Sequence, residues 1–468
     1  MPKPYQLGFT SQYAEIEAEL PVRGALPSWL RGTLIRNGPG QFEVGRTPIP
    51  HWFDGLAQLH RFSLSEGRVR YSNRFIRSQS YERDNAAGKI HFRGFAVDPC
   101  RSLFQKAMAL FSNEQGNNAV VNVTRLGEHY LAMTEFPLPM AFNPETLETL
   151  GVYGYDDQVK AQIATAHPHY DAQRGFGINM MTYIGLSSAY QLYAVTDKAR
   201  RLIANLPVQQ PAYVHSFAVT ARTIVLAEFS LRLTSPLALA FGDQPFIRNF
   251  RYDAQRDSRF LVVDKDSGAL LADIPTDPFF AFHHINAYEG DDEIILDISA
   301  YDDARLIDSL YVRELLEGNE YPPVGQFRRY SLPLSGGRAE YEVIGSETIE
   351  LPRIHYGYNG LPYRYAYGAS TQAGSGDFIN QLVKVDVQAR TAQVWREDGC
   401  YPGEAVFVPD PHGQAEDEGV LLAVVLDSRV GRSFLLVLNA RDLSEMARAE
   451  VPQHIPFGFH GQFWSKPN

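Results

Sequence analysis

One unit recurs seven times along this chain and limits how it can fold: an apolar strand, a short polar turn and a second strand. The copies are Phe62–Tyr71, Phe142–Leu150, Leu192–Ile203, Phe260–Leu271, Tyr330–Tyr341, Leu382–Val394 and Leu436–Arg448. Asp, Asn, Ser and Gly in the turns supply side-chain bonding or left-handed backbone, and the flanking Val, Leu, Tyr and Phe favour strands. Hairpins spaced by about 50–80 residues suit the outer strand pairs of a seven-bladed β-propeller. Ile224–Glu228, Glu293–Ser299 and Val420–Asp427 read as inner strands. A pair of β-sandwiches is the competing reading.

Four histidines favour the propeller. His167 lies in ThrAlaHisProHisTyrAsp, His215 in TyrValHisSerPhe, His283 in PhePheAlaPheHisHisIle and His460 in GlyPheHisGlyGlnPhe. Each follows small or apolar residues that can bury an imidazole, and only a closed architecture gathers positions so far apart. Converging neutral imidazoles suit iron, copper, nickel or zinc. Glu135, Glu404 and Glu450 sit among apolar residues and are expected to accept the imidazoles' other N–H groups, the usual partner of a ligating histidine. The remaining histidines read as packed or surface residues, with His51 and His60 as hydrogen-bonding supports on either side of TrpPheAspGly.

Composition excludes several classes. The net charge of −11, with no basic block, argues against nucleic acid. The start of the chain lacks the apolar core of a signal peptide, and no run is long enough to span a bilayer. Cys100 and Cys400 make no framework of bridges, so a cytoplasmic location is expected. With 44% hydrophobic residues, all 468 can pack as one propeller domain with cap segments. Asp98 and Pro99 can start a helix over about 98–112, where Leu103, Phe104, Ala107, Met108 and Phe111 share a face. That face packs on the propeller or, on the second reading, dips into a membrane surface.

ArgAsnGlyProGly (Arg36–Gly40), HisTrpPheAspGlyLeuAlaGlnLeuHisArgPhe (His51–Phe62), ValAspProCysArg, ThrAlaHisProHis, TyrValHisSerPhe, PheHisHisIleAsnAlaTyrGlu and the final PheHisGlyGlnPhe together resemble the carotenoid cleavage oxygenases. The resemblance covers essentially the whole chain. It implies a seven-bladed propeller with one iron(II) per chain on its axis and a cap enclosing a hydrophobic tunnel. It makes His167, His215, His283 and His460 the ligands, with Glu135, Glu404 and Glu450 bonded to the last three. His283 is taken as the ligand of the doublet, with His284 pointing off the axis.

The activity so implied is oxidative cleavage of a carotenoid or apocarotenoid double bond by O2 to two carbonyl products. Stilbene cleavage and retinoid isomerohydrolysis are alternatives within the family, and a metal-free binding propeller is an alternative outside it. Thr134 is a candidate for shaping the oxygen site, although it also fits a plain strand position. Its neighbourhood lacks the lysine that binds a phenol in stilbene-cleaving members, which favours an apolar polyene. Candidate tunnel residues are Phe92, Phe95, Phe136, Phe279, Tyr356 and Phe457. Oligomeric state is not legible.

Overall fold

The computed structural model describes residues 3–97, 117–241, 244–317 and 321–466. Seven antiparallel sheets follow one another along the chain as the blades of a propeller. From the axis outward, blade II is Asn122–Leu126, His129–Met133, Met140–Phe142 and Thr149–Val152. Blades III to VI repeat this meander, their innermost strands being Ile163–Ala164, Ala218–Val219, Phe280–Glu289 and Glu350–Ile354. In every blade the recurring hairpin supplies the third and fourth strands. The three runs expected as inner strands are second strands, one step out from the axis.

Blades I and VII close the ring. The innermost strand of blade I is the C-terminal segment Gly461–Ser465, paired with Gly32–Arg36 near the other end of the chain. The N-terminal strands Glu17–Leu20 and Val22–Gly24 add a fifth, outermost strand to blades I and VII respectively. The seam is thus tied from both sides by strands far apart in sequence. In ArgAsnGlyProGly, a Cβ added to Gly38 would lie 2.3 Å from the Gly458 Cα, so the segment leading to His460 can approach only a glycine.

Each blade is apolar on both faces where it meets its neighbours, as in the cluster that joins Leu34, Phe62 and Tyr71 of blade I to Val406, Leu422 and Leu435 of blade VII. Loops between blades build a cap over one end of the axis. Its anchors are aromatic: Trp52 Nε1 donates to Phe457 O at 2.9 Å, and Tyr5 O–H donates to Leu315 O at 2.9 Å. His51 serves this cap as expected, accepting from Phe53 N at Nδ1 (3.1 Å), with Nε2 3.1 Å from Ile307 O. The helix expected over 98–112 lies outside the described residues, as does Cys100. Cys400 is buried and free. Among the described residues no helix is long and apolar enough to cross a membrane.

Candidate metal centre

The innermost strands deliver the four histidines to one point. His167 follows the short inner strand of blade III, His215 precedes that of blade IV, His283 lies within that of blade V and His460 immediately precedes the C-terminal strand of blade I. Their closest ligand atoms all lie within 4.8 Å of one another. Nε2 of His167 is 3.0 Å from Nε2 of His215, and Nε2 of His283 is 3.1 Å from Nε2 of His460.

A regular strand could not present these side chains, because alternate residues face opposite sides. In blade V, Ala281 pairs with Ala300 and His284 with Ile298, so Phe282 and His283 together oppose the single residue Ser299. The same two-against-one irregularity places Gly403 and Glu404 opposite Val424 in blade VII. Blade VI has another between Glu350 and Arg353, next to Leu351 at φ 49°. Bulges re-aim side chains next to functional sites, and here three of them turn His283, Glu350 and Glu404 toward the axis.

Three carboxylates hold the far side of the imidazoles. His215 Nδ1 is 2.7 Å from Glu135 Oε1, His283 Nδ1 2.7 Å from Glu350 Oε1, and His460 Nδ1 2.8 Å from Glu404 Oε1. Among the described residues His167 has no such partner. Glu450 is displaced from the expected set: it ends the fourth strand of blade VII, at the outer rim, where it pairs with Arg23 across the fifth strand at 2.9 Å. The partner of His283 is Glu350, from ThrIleGluLeuPro.

The three acceptors have different surroundings. Glu404, 1% exposed, also accepts from Arg36 Nη1, from Arg353 Nε at 2.8 Å and from Gly461 N at 3.0 Å. Burial alone would raise its pKa, but the two guanidiniums and His460 outweigh it and hold the carboxyl well below its usual range. Glu350 has no guanidinium; Ser299 O–H donates to it at 2.9 Å, and burial pushes it up to about 7. Glu135 accepts from Tyr213 O–H at 2.5 Å as well as from His215. Burial disfavours protonation of three of the rings, with His460 pushed down to about 3 and His167 and His283 well below the ordinary histidine value.

This donor set fits a cation. With Nδ1 of His283 and of His460 each committed to a carboxylate, both Nε2 atoms carry lone pairs, and these face each other at 3.1 Å with no proton between them. Two such lone pairs repel unless a positive charge shares them. An ion among them would also help keep Glu350 ionised.

One side of the cluster opens on a cavity of about 690 Å³, including its mouth, lined by carbon. Trp52, Phe53, Phe282, Tyr301, Leu306 and Phe459 wall it, and His215, His283 and His460 form its floor. None of the six expected tunnel residues lines it. Phe279 packs between blades against Phe229, Phe260 and Tyr330, and Phe457 packs behind the wall on Phe9 and Phe378. Phe95 backs Phe53, Phe92 lies beneath Arg83, Phe136 is half-buried, and Tyr356 is exposed, its hydroxyl accepting from Tyr170 N. The wall instead takes Phe282 and Phe459, each directly preceding a histidine of the cluster. Thr134 is buried just before Glu135 and is not part of the wall.

The chain matches the family model described as retinal pigment epithelial membrane protein over residues 9–465. It is 34% identical to a mitochondrial carotenoid-cleaving dioxygenase of Mustela putorius furo, covering 94% of this chain and 93% of that one. It is 33% identical to the beta,beta-carotene 15,15'-dioxygenase of Gallus gallus, covering 96% and 95%. Its fold superposes on cobalt-substituted Synechocystis ACO, an apocarotenoid oxygenase, with a TM-score of 0.88 at 28% identity over 99% of this chain and 98% of that one. With the axial histidine cluster and the ring of seven blades, these matches show that the chain belongs to the family of the retinal pigment epithelial membrane protein and the carotenoid-cleaving oxygenases.

Proposed function

We propose that this protein is a non-haem iron dioxygenase that cleaves a carbon–carbon double bond of a carotenoid or apocarotenoid, with one iron(II) per chain held by His167, His215, His283 and His460. The observation that carries this reading is an apolar cavity whose floor is three inward-facing imidazoles of a four-imidazole cluster. Iron(II) bound there would supply the redox chemistry that lets dioxygen react with an alkene.

The chain's own residues do the rest. Four neutral ligands leave a dication's charge undiminished, unlike sites with a ligating carboxylate. Glu135, Glu350 and Glu404 accept from Nδ1, fix three tautomers and raise the basicity of each Nε2. Trp52, Phe53, Phe282 and Phe459 exclude water and can lie along a polyene, so binding is apolar and its register sets which bond is presented. The reaction balances as one alkene plus one dioxygen giving two carbonyl groups: the carbon–carbon double bond and the oxygen–oxygen bond break, and two carbon–oxygen double bonds form. The alkene supplies the electrons that reduce dioxygen, so no external reductant is required. No proton has to be abstracted, and among the described residues the titratable groups in the wall are Tyr301, the histidines and Glu350, which is bonded to His283.

The test is aerobic incubation of the iron-loaded protein with β-carotene, an apocarotenal, a hydroxystilbene and a retinyl ester, following oxygen uptake and product mass. One O2 consumed per polyene cleaved, with both atoms in the two carbonyl products, supports the proposal. Retinyl ester isomerisation without oxygen uptake would replace it with isomerohydrolysis, and cleavage confined to the hydroxystilbene would move the substrate class.

A further inference from the structure

The short turn Trp52–Asp54 and the histidine before it pin the cap at three places. His51 Nε2 lies 3.1 Å from Ile307 O, Trp52 Nε1 donates to Phe457 O at 2.9 Å, and Asp54 takes the backbone at Phe95 and Ala96. Phe53, between these anchors, stands in the wall of the apolar cavity. Its ring meets Phe282 at 5.5 Å and Phe459 at 5.2 Å, the two wall residues that directly precede histidines of the cluster. It also meets Phe95 at 5.2 Å, and Phe95 is outside the wall.

Asp54 grips that segment with both carboxylate oxygens. Oδ1 accepts from Phe95 N at 2.6 Å and Oδ2 from Ala96 N at 2.8 Å. The two N–H groups meet separate oxygens, so an amide of the same size would turn its NH2 against one of them. The approach is tight: a Cβ added to Gly94 would lie 2.2 Å from Asp54 Oδ1. Ile247 N donates to Phe95 O at 3.0 Å, so both backbone polar groups of Phe95 are taken. Among the described residues no cation pairs with Asp54, and burial pushes its pKa up to about 6 against the lowering effect of the two amides. A carboxylate kept here without a counter-charge is matched to the pair of donors it holds and to nothing else around it.

We infer that Asp54 is a positioning residue for the substrate: its clamp on Phe95 and Ala96 keeps the Phe95 ring against Phe53 and so fixes the cavity wall beside Phe282 and Phe459. A wall held at one place lets a polyene come to rest in one register over the histidines, and that register selects the bond that is cut. Asp54 acts through Phe95 and Phe53 and is itself outside the wall. The inference rests on the reading of this cavity as the polyene site. Phe95 also meets Tyr213 at 5.8 Å, and Tyr213 O–H donates to Glu135 behind His215, so iron content separates an effect on the wall from one on the cluster.

The experiment makes Asp54→Asn and Phe95→Leu separately in the full chain and assays the iron-loaded proteins with whichever of β-carotene and an apocarotenal the wild type cleaves. KM, kcat, product masses, iron content and melting temperature are read together. Asp54→Asn is expected to raise KM about tenfold, the scale of one buried donor left without an acceptor. Phe95→Leu, which removes the ring behind Phe53 and leaves the carboxylate intact, should raise KM in the same way. Both should give products of more than one cleavage position, with kcat and iron content close to wild type. Phe279→Ala, in the core between blades, is the comparison: it should lower the melting temperature without moving KM or the cleaved bond, so lost stability alone does not mimic the effect. Wild-type KM with a single cleavage position in either variant would overturn the inference, and if Asp54→Asn does not fold, Phe95→Leu decides. Turnover that falls only in proportion to lost iron would also overturn it, because the clamp would then serve the cluster through Tyr213. A wild-type protein that cleaves no polyene would instead sink the reading of the cavity itself.

Discussion

His283 and His284 are adjacent in the chain yet face different partners: His283 Nε2 meets His460 Nε2 at 3.1 Å, while His284 Nδ1 meets Ser216 Oγ at 2.8 Å. The bulge that sets Phe282 and His283 against Ser299 separates their roles. His283→Ala should therefore lose bound iron and turnover together. His284→Ala should hold close to one iron per chain at equilibrium, read by metal analysis after dialysis. The reverse pattern would mean that the bulge presents the other ring.

Glu404 and Glu350 make the same bond to an imidazole, but only Glu404 neutralises arginines, the buried Arg36 and the partly buried Arg353. Glu404→Gln should lower turnover by roughly 10–100-fold, as expected for loss of a carboxylate behind a ligand. It should also cost on the order of 3–5 kcal/mol, because Arg36 and Arg353 are left without their counter-charge. Glu350→Gln should lower turnover with little change in melting temperature. Equal melting temperatures for the two variants would show that the guanidiniums do not depend on Glu404.

What was legible in the sequence followed from local chemistry. The hairpins reveal their turns by Asp, Asn and Gly, and the histidines reveal themselves by their apolar settings. Glu450 misled because AlaArgAlaGluVal looks buried, whereas its blade turns that carboxylate to the rim beside Arg23. Chain position could have corrected this: His215, His283, Glu350 and Glu404 each follow the end of a hairpin by 9–12 residues (203 to 215, 271 to 283, 341 to 350, 394 to 404), where the chain returns to the axis. Glu450 follows its hairpin by only two, from 448. The expected tunnel residues lie outside this cavity for another reason. An aromatic side chain does not declare whether it faces a cavity or a neighbouring blade, and the bulge that puts Phe282 in the wall leaves Phe279 in the core. Arg36 and Arg353 were invisible as supports of Glu404 because that contact joins blades I, VI and VII.

Phe282 and Phe279 offer a test of that distinction. Phe282→Ala should raise KM or shift the cleaved bond while iron content is retained. Phe279→Ala, buried against Phe260 and Tyr330, should cost about 3–5 kcal/mol of stability with KM unchanged. Melting temperature and steady-state kinetics on the two variants separate wall from core, and a changed KM in Phe279→Ala would place it in the wall after all.

Acid should destabilise the protein through a histidine that has nothing to do with metal. His51 is fully buried in the cap, and burial pushes its pKa down to about 3 despite the helpful contact with Ile307 O. In the unfolded chain the same ring titrates near 6.5. Between those values the unfolded state takes up a proton that the folded state refuses, so stability present above pH 6.5 is lost as pH falls toward 3. The slope is about 1.4 kcal/mol per pH unit for one group, or about 2 kcal/mol at pH 5. His51→Gln should lower the melting temperature at pH 7, because the bonds to Phe53 N and Ile307 O are imperfectly replaced. It should also flatten the decline between pH 6.5 and 5. Thermal melts of the metal-loaded protein across that range check this, because ligand protonation is suppressed there and His51's share stands out. An identical pH slope in the variant would show that other buried histidines, such as His60, carry the effect.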